Sequence, residues 1–125
     1  MSQRGREPSV LWALIGVDGR VNREVFWLGN LLCALVGVAF MLPHIDPDTG
    51  ALLLSPIAPF VSAVLFWPGI ALAVKRLHDR SLTGWLAVAF AIPVVGFVAF
   101  FAIGLIPGNK GPNRYGPATN SRGPA

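Results

Sequence analysis

The chain has 125 residues, of which 54% are hydrophobic and only 13% charged, and its mean hydropathy is +0.60. Ordinary soluble domains carry about 25% charged residues, and a folded chain of this size leaves a large surface that water must wet. These figures argue against a soluble enzyme or a solvent-facing binding module and for an integral membrane protein. The net charge of +4 then reads as membrane topology, which places Lys and Arg beside the spans, and not as a nucleic-acid footprint. The single cysteine, Cys33, lies in an apolar run, so neither a disulfide within the chain nor a cysteine metal site is expected.

Residues 1–24 read as a cytoplasmic and interfacial segment. Arg4, Arg6 and Glu7 precede a short apolar piece, Val10 to Val17, that contains Trp12. Eight helical residues reach about 12 Å, well short of a hydrocarbon core of about 30 Å, so a short interfacial helix or a re-entry into the bundle is expected. No small-x-small cleavage site follows, which argues against a signal peptide.

Residues 25–107 read as the membrane domain, with helices near 25–42, 56–78 and 85–106. In the first, Gly29, Cys33 and Gly37 recur every four residues and predict a face that another helix can approach closely. Asn30 is expected to hydrogen-bond across to a neighbouring helix. Residues 43–50 are turn-rich and carry no Lys or Arg; His44, Asp46 and Asp48 are better read as a solvated loop than as metal ligands. Ser55-Pro56 reads as a helix start, Pro68 predicts a kink, and Pro93 and Gly96 interrupt the third apolar run. Residues 108–125, with four Gly and three Pro, read as a flexible tail.

Lys and Arg number four before the first span, none in the first loop, three in the second and three in the tail. The first three counts put the N-terminus in the cytoplasm. Three full crossings, the expected arrangement, put the tail outside with Lys110, Arg114 and Arg122. A fold-back of residues 85–107 at Pro93–Gly96 is the alternative that keeps those cations inside.

Two basic clusters should therefore meet on one side. One is Gly19-Arg20-Val-Asn-Arg23-Glu24; the other is Lys75-Arg76-Leu77-His78-Asp79-Arg80. Arg76 and Arg80 share a helical face, and Asp79 or Glu24 is expected to pair with an Arg of the opposite cluster. The site residues expected to bind lipid headgroups or a partner are Arg20, Arg23, Arg76, His78, Asp79 and Arg80. No nucleophile–base pair, phosphate loop or zinc spacing is present, and no acid lies inside a span. The reading is a non-enzymatic membrane protein with no metal or cofactor. Its expected partners are the bilayer with its anionic headgroups, a membrane protein or a second copy of itself, and no nucleic acid. A transporter or channel subunit is one alternative; a lipid-headgroup enzyme using His78 and Asp79 is another.

Five pieces in order carry a family resemblance: Gly19-Arg20-x-x-Arg23-x-x-Phe26-Trp27, Arg76-Leu77-His78-Asp79, Ser81-x-x-Gly84-Trp85, Ile92-Pro93-x-x-Gly96, and Gly108-x-x-Gly111-x-Asn113-Arg114-Tyr115-Gly116-Pro117. Together they resemble the bacterial "domain of unknown function 805" family of small inner-membrane proteins, over about residues 10 to 118. Many members place Ser directly before the Gly-Trp pair, where this chain has Thr83. The resemblance implies a bacterial inner-membrane location and no particular activity. It also implies that both clusters and the Asn113–Pro117 motif form one assembled site, which requires a cytoplasmic tail.

Overall fold

A computed structural model describes residues 8–122, so Arg4, Arg6 and Glu7 fall outside the described residues. The order of elements is α1 (Val10–Ile15), α2 (Arg23–Met41), β1 (His44–Ile45), β2 (Leu52–Leu53), α3 (Ala58–Asp79), a 3₁₀ segment (Gly84–Ala91) and α4 (Pro93–Leu105). The protein is mostly helical, and α2 and α3 are each long and apolar enough to cross a membrane.

Six residues of helix cannot bury a face of their own, so α1 docks against α3. The Ser9 hydroxyl caps it by accepting from the Trp12 backbone N–H at 3.1 Å. Trp12 is 6% exposed and its indole donates to the Asp18 carbonyl at 3.0 Å. This tryptophan is a core residue.

Helix α2 starts at Asn22, whose side-chain oxygen accepts from the Val25 N–H, and carries Glu24 in its first turn, where the helix dipole favours a negative charge. Its small-residue stripe faces α3: a Cβ on Gly29 would stand 2.7 Å from a Leu72 methyl, and one on Gly37 would stand 3.3 Å from Leu65. Asn30 departs from expectation. Its amide donates to the Phe26 carbonyl of its own helix at 2.8 Å, because the close approach at Gly29 is filled by leucine and offers no acceptor.

Residues 43–57 contain a small antiparallel strand pair, with His44 opposite Leu53 and Ile45 opposite Leu52. Asp46 organises its turn by accepting from the Asp48 N–H and the Thr49 hydroxyl. These two donors hold its carboxyl below the usual carboxylate range. Helix α3 then runs unbroken through Pro68.

The third apolar run does not form the single helix predicted over 85–106. Pro93 has no N–H and restricts the residue before it to extended backbone; Ile92 sits at φ −87°, ψ 117°. Residues 84–91 wind as 3₁₀ helix up to this point, and α4 returns from it. Gly96 makes the bend tight, since a Cβ there would strike the Phe90 carbonyl. The run begins beside His78 and ends beside Arg76, so both its ends lie at the same end of the bundle.

The Gly- and Pro-rich tail makes specific contacts with the rest of the chain. Residues 108–122 lie across the ends of α2 and α3 and hydrogen-bond to both. Their order comes from bonds to buried side chains, not from a hydrophobic core of their own.

The buried core (Trp12, Val21, Phe26, Leu72, Leu77 and Ile103 among its members) sits at this same end. Towards the hairpin, α2 and α3 turn large apolar side chains outward: Leu31, Leu35, Val38, Phe60, Val64 and Phe66 are all exposed.

A buried Arg–Asp–Arg centre capped by backbone carbonyls

Helix α3 places Lys75, Arg76 and Asp79 on the face that also carries Ala71 and Leu72, which is turned into the core. Arg20 enters from the loop before α2. Its neighbour Gly19 has φ +90°, and a Cβ there would run into the Ser121 carbonyl, so both conformation and space require glycine. The tail is held at this point by the Arg20 N–H, which donates to the Ser121 carbonyl at 2.8 Å, and by the Asn22 N–H, which donates to the Asn120 side chain.

Asp79 stands between two guanidinium groups. Arg20 Nε reaches one carboxylate oxygen at 2.9 Å and Arg76 Nη1 the other at 2.6 Å, with all three side chains almost fully buried. The cross-cluster pair expected of Asp79 is therefore with Arg20. Glu24 is exposed at the helix start.

The remaining donors are spent on backbone. Arg20 donates to the Asn109 and Gly111 carbonyls at 2.7 Å each and to Gly116 at 3.3 Å. Around the end of α4, five successive carbonyls each accept from a side chain. Ile103 receives Arg76 Nε at 2.7 Å, Gly104 the Trp27 indole at 2.8 Å, Leu105 Arg23 at 3.1 Å, Ile106 Arg76 Nη2 and Pro107 Arg80 at 2.5 Å. A helix C-terminus presents unpaired carbonyls and partial negative charge; here three arginines answer both. Lys75 does the same for α1, donating to the Trp12, Ala13 and Gly16 carbonyls at 2.5–2.7 Å.

His78 and Asp79 do not form a dyad. His78 Nδ1 lies 3.0 Å from the Gly19 carbonyl, and both Asp79 oxygens are held by arginine. The His78 ring stacks on Tyr115, with centroids 3.8 Å apart and planes 5° apart. The Asn113 side chain donates to the His78 carbonyl at 3.0 Å, and a tight turn pairs Asn113 with Gly116 through both backbone groups.

Most of the motif residues converge on this centre. Leu77 and Phe26 are its apolar floor, and Phe26 and Trp27 both pack on Phe100 of α4. Arg114 is exposed, its guanidinium 4.7 Å from the Tyr115 ring centre. Pro93 and Gly96 lie at the far bend, Trp85 points outward and Pro117 is exposed. Residues not assigned to the site from sequence include Lys75, Ser81, Gly108 and Asn109. Ser81 ends α3 in a left-handed conformation at φ 58° and accepts from the Asn109 amide. The signal for Lys75 was present: it lies three and four residues from Leu72 and Ala71 and four from Asp79, on the core-facing row.

Fold and site together define a small helical protein in which two long apolar helices and a bent apolar hairpin are fastened at one end by a buried ionic centre. The chain matches the family described as "Protein of unknown function (DUF805)" over residues 14–117, and it belongs to that family. It is 32% identical to the inner membrane protein YhaI of Escherichia coli K12 over 112 residues, covering 86% of this chain and 89% of that protein. Identity to the inner membrane protein YhaH of the same strain is 28% over 111 residues, 86% of this chain and 90% of YhaH. The uncharacterized protein YiiR of that strain is 27% identical over 135 residues, 85% and 87% of the two chains. No solved structure matches the chain.

Proposed function

We propose that the chain is a non-enzymatic inner-membrane protein whose cytoplasmic end binds anionic lipid headgroups, or the acidic surface of a membrane partner, through a rigid cationic platform. Helices α2 and α3 cross the bilayer, and residues 84–105 form a hairpin that enters and leaves on the cytoplasmic side. The names of the YhaI and YhaH relatives and the outward apolar faces of α2 and α3 support the location.

One observation carries the reading: every Lys and Arg among the described residues gathers at the end where α2 begins and α3 and α4 finish, while the hairpin 43–54 has none. The positive-inside tendency supports reading that end, tail included, as cytoplasmic. Arg20, Lys75 and Arg76 are buried in internal bonds and form the frame. Lys110 is exposed, and Arg23 and Arg80, each of which caps one carbonyl, are exposed and half-buried. These three turn their charge outward to an acidic surface, at about 1 kcal/mol per cation near an anionic leaflet.

The test is to purify the full chain with Arg23, Arg80 and Lys110 all changed to Gln and to measure the lipid that co-purifies. The anionic share should fall several-fold. An unchanged share in a folded variant refutes headgroup binding.

A further inference from the structure

A cleft of about 730 Å³ opens between α3 and the 3₁₀ segment, within the range of about 300–1,000 Å³ usual for ligand pockets. Neither Arg23 and Arg80 nor the Leu105 and Pro107 carbonyls that they cap line it. Phe66, Trp67, Val88 and Ala91 line its deep part, and His78 and Tyr115 line the end nearest the ionic centre. From Phe66 to His78 the helix rises about 18 Å, close to half of a hydrocarbon core of about 30 Å. That is the depth of one acyl chain in one leaflet.

The shallow end is polar and incompletely used. His78 Nε2 makes no hydrogen bond among the described residues and opens onto the cleft, since every buried side-chain nitrogen and oxygen among them is partnered. Since Nδ1 faces the Gly19 carbonyl, a neutral ring carries its hydrogen there, and Nε2 is left as an acceptor. Gly84 keeps the space in front of that atom clear; a Cβ would stand 3.1 Å from it. The Tyr115 hydroxyl likewise has no partner among the described residues. Arg114 lies just outside the cleft, over the face of the Tyr115 ring opposite His78. An acceptor and a hydroxyl at the mouth, with a guanidinium beyond the ring, match a head that carries both a hydroxyl and a phosphate.

We propose that this cleft holds one acyl chain of a hydroxyl-bearing anionic glycerophospholipid, with its phosphate at Arg114 and Tyr115 and a headgroup hydroxyl at His78 Nε2. The site is separate from the platform proposed above and stands or falls independently of it.

The full chain is exchanged into detergent with equal phosphatidylglycerol and phosphatidylcholine of identical chains, and retained lipid is read by native mass spectrometry. One lipid per chain should survive, enriched about five-fold for phosphatidylglycerol, the ratio expected when about one extra headgroup contact is worth one kcal/mol. Ala91→Trp, which fills the deep part, should abolish retention. Arg114→Gln with Tyr115→Phe, which strips contacts to the phosphate that both lipids share, should weaken retention of both, whereas His78→Phe, which removes the acceptor for the headgroup hydroxyl, should remove the enrichment. The Arg23, Arg80 and Lys110 triple Gln variant should still hold this one lipid, even where platform binding is lost. A second readout uses a Trp85→Phe background, which removes the outward indole: phosphatidylglycerol brominated in its acyl chain and added stoichiometrically in detergent should quench Trp67 and saturate at one lipid per chain. Retention blind to headgroup, retention undiminished by Ala91→Trp, or quenching that rises without saturation overturns the proposal.

Discussion

Arg20 and Asp79, 59 positions apart in the chain, form a buried ion pair with Nε 2.9 Å from the carboxylate. Arg76 holds the other oxygen of the same carboxylate. One acid thus joins the loop before α2 to the end of α3, and both arginines extend the joint to α4 and the tail through carbonyls. The centre holds more positive than negative charge, and backbone dipoles offset the difference.

Asp79→Asn should therefore be severely destabilising. It keeps the shape of the side chain but leaves two buried guanidinium groups facing each other without a counter-charge. Breaking a buried pair from one side costs about 3–5 kcal/mol. Thermal unfolding of the purified protein in detergent should show a large downward shift. A midpoint equal to the parent's would mean that the carboxylate does not hold the centre together.

Lys75→Met should release α1 and spare the rest. The variant keeps the apolar stem of the side chain but strips the donor from the Trp12, Ala13 and Gly16 carbonyls. The Trp12 carbonyl keeps the Gly16 N–H, so the loss falls on the part-buried Ala13 and Gly16 carbonyls, at about 1–3 kcal/mol for each group left unpaired, against a six-residue helix otherwise held by the buried Trp12 and the Trp67 bond to Ile15. Limited proteolysis near Asp18 should accelerate strongly while α2 and α3 stay protected. Uniform loosening of all helices would argue that α1 is part of one cooperative unit.

Gly108 and Gly69 should respond in opposite directions to the same change. A methyl at Gly108 would overlap the Asp79 carboxylate, which two arginines prevent from moving aside. Gly108→Ala should cost about 1–3 kcal/mol as an overpacked core site. Gly69 has nothing within 4 Å of the added atom and lies inside α3, where alanine is preferred by up to about 1 kcal/mol. Gly69→Ala should leave the unfolding midpoint unchanged or raise it.

The apolar runs and their punctuation were readable as sequence because hydropathy and helix breakers act locally. Val25–Leu42 became α2, and the Gly29–Gly37 stripe found its neighbour. The convergence of the two basic clusters is readable from charge counts, and the tail's place beside them from the family motif, toward which the three tail cations also lean. Three features escaped for a common reason, which is that their partners are distant in sequence. Trp12 is buried by α3, Lys75 by α1, and residues 108–122 are ordered by Arg20 and His78. Composition reports a Gly/Pro tail as lacking a core, and that is correct; it does not report that another segment's arginine satisfies its carbonyls. Pro93 was recognised as an interruption, but whether a proline bends a span or reverses it depends on where the following helix finds its cap.

That last dependence yields a prediction about topology. Helix α4 has 13 residues and the 3₁₀ segment 8, or about 20 Å and 16 Å at their ordinary rises, so neither arm crosses a core of about 30 Å. Both arms also return to one end, since Arg23, Arg76 and Arg80 hold the α4 terminus. In a Cys33→Ser background, single cysteines at Asp48, Ile92 and Thr119 can be offered an impermeant maleimide in oriented vesicles. Asp48→Cys should label from outside only, Thr119→Cys from the cytoplasmic side only, and Ile92→Cys, at the tip of the hairpin, from neither. Labelling of Thr119→Cys and Asp48→Cys from the same side would require a third full crossing, and with it the dissolution of the five carbonyl caps at residues 103–107.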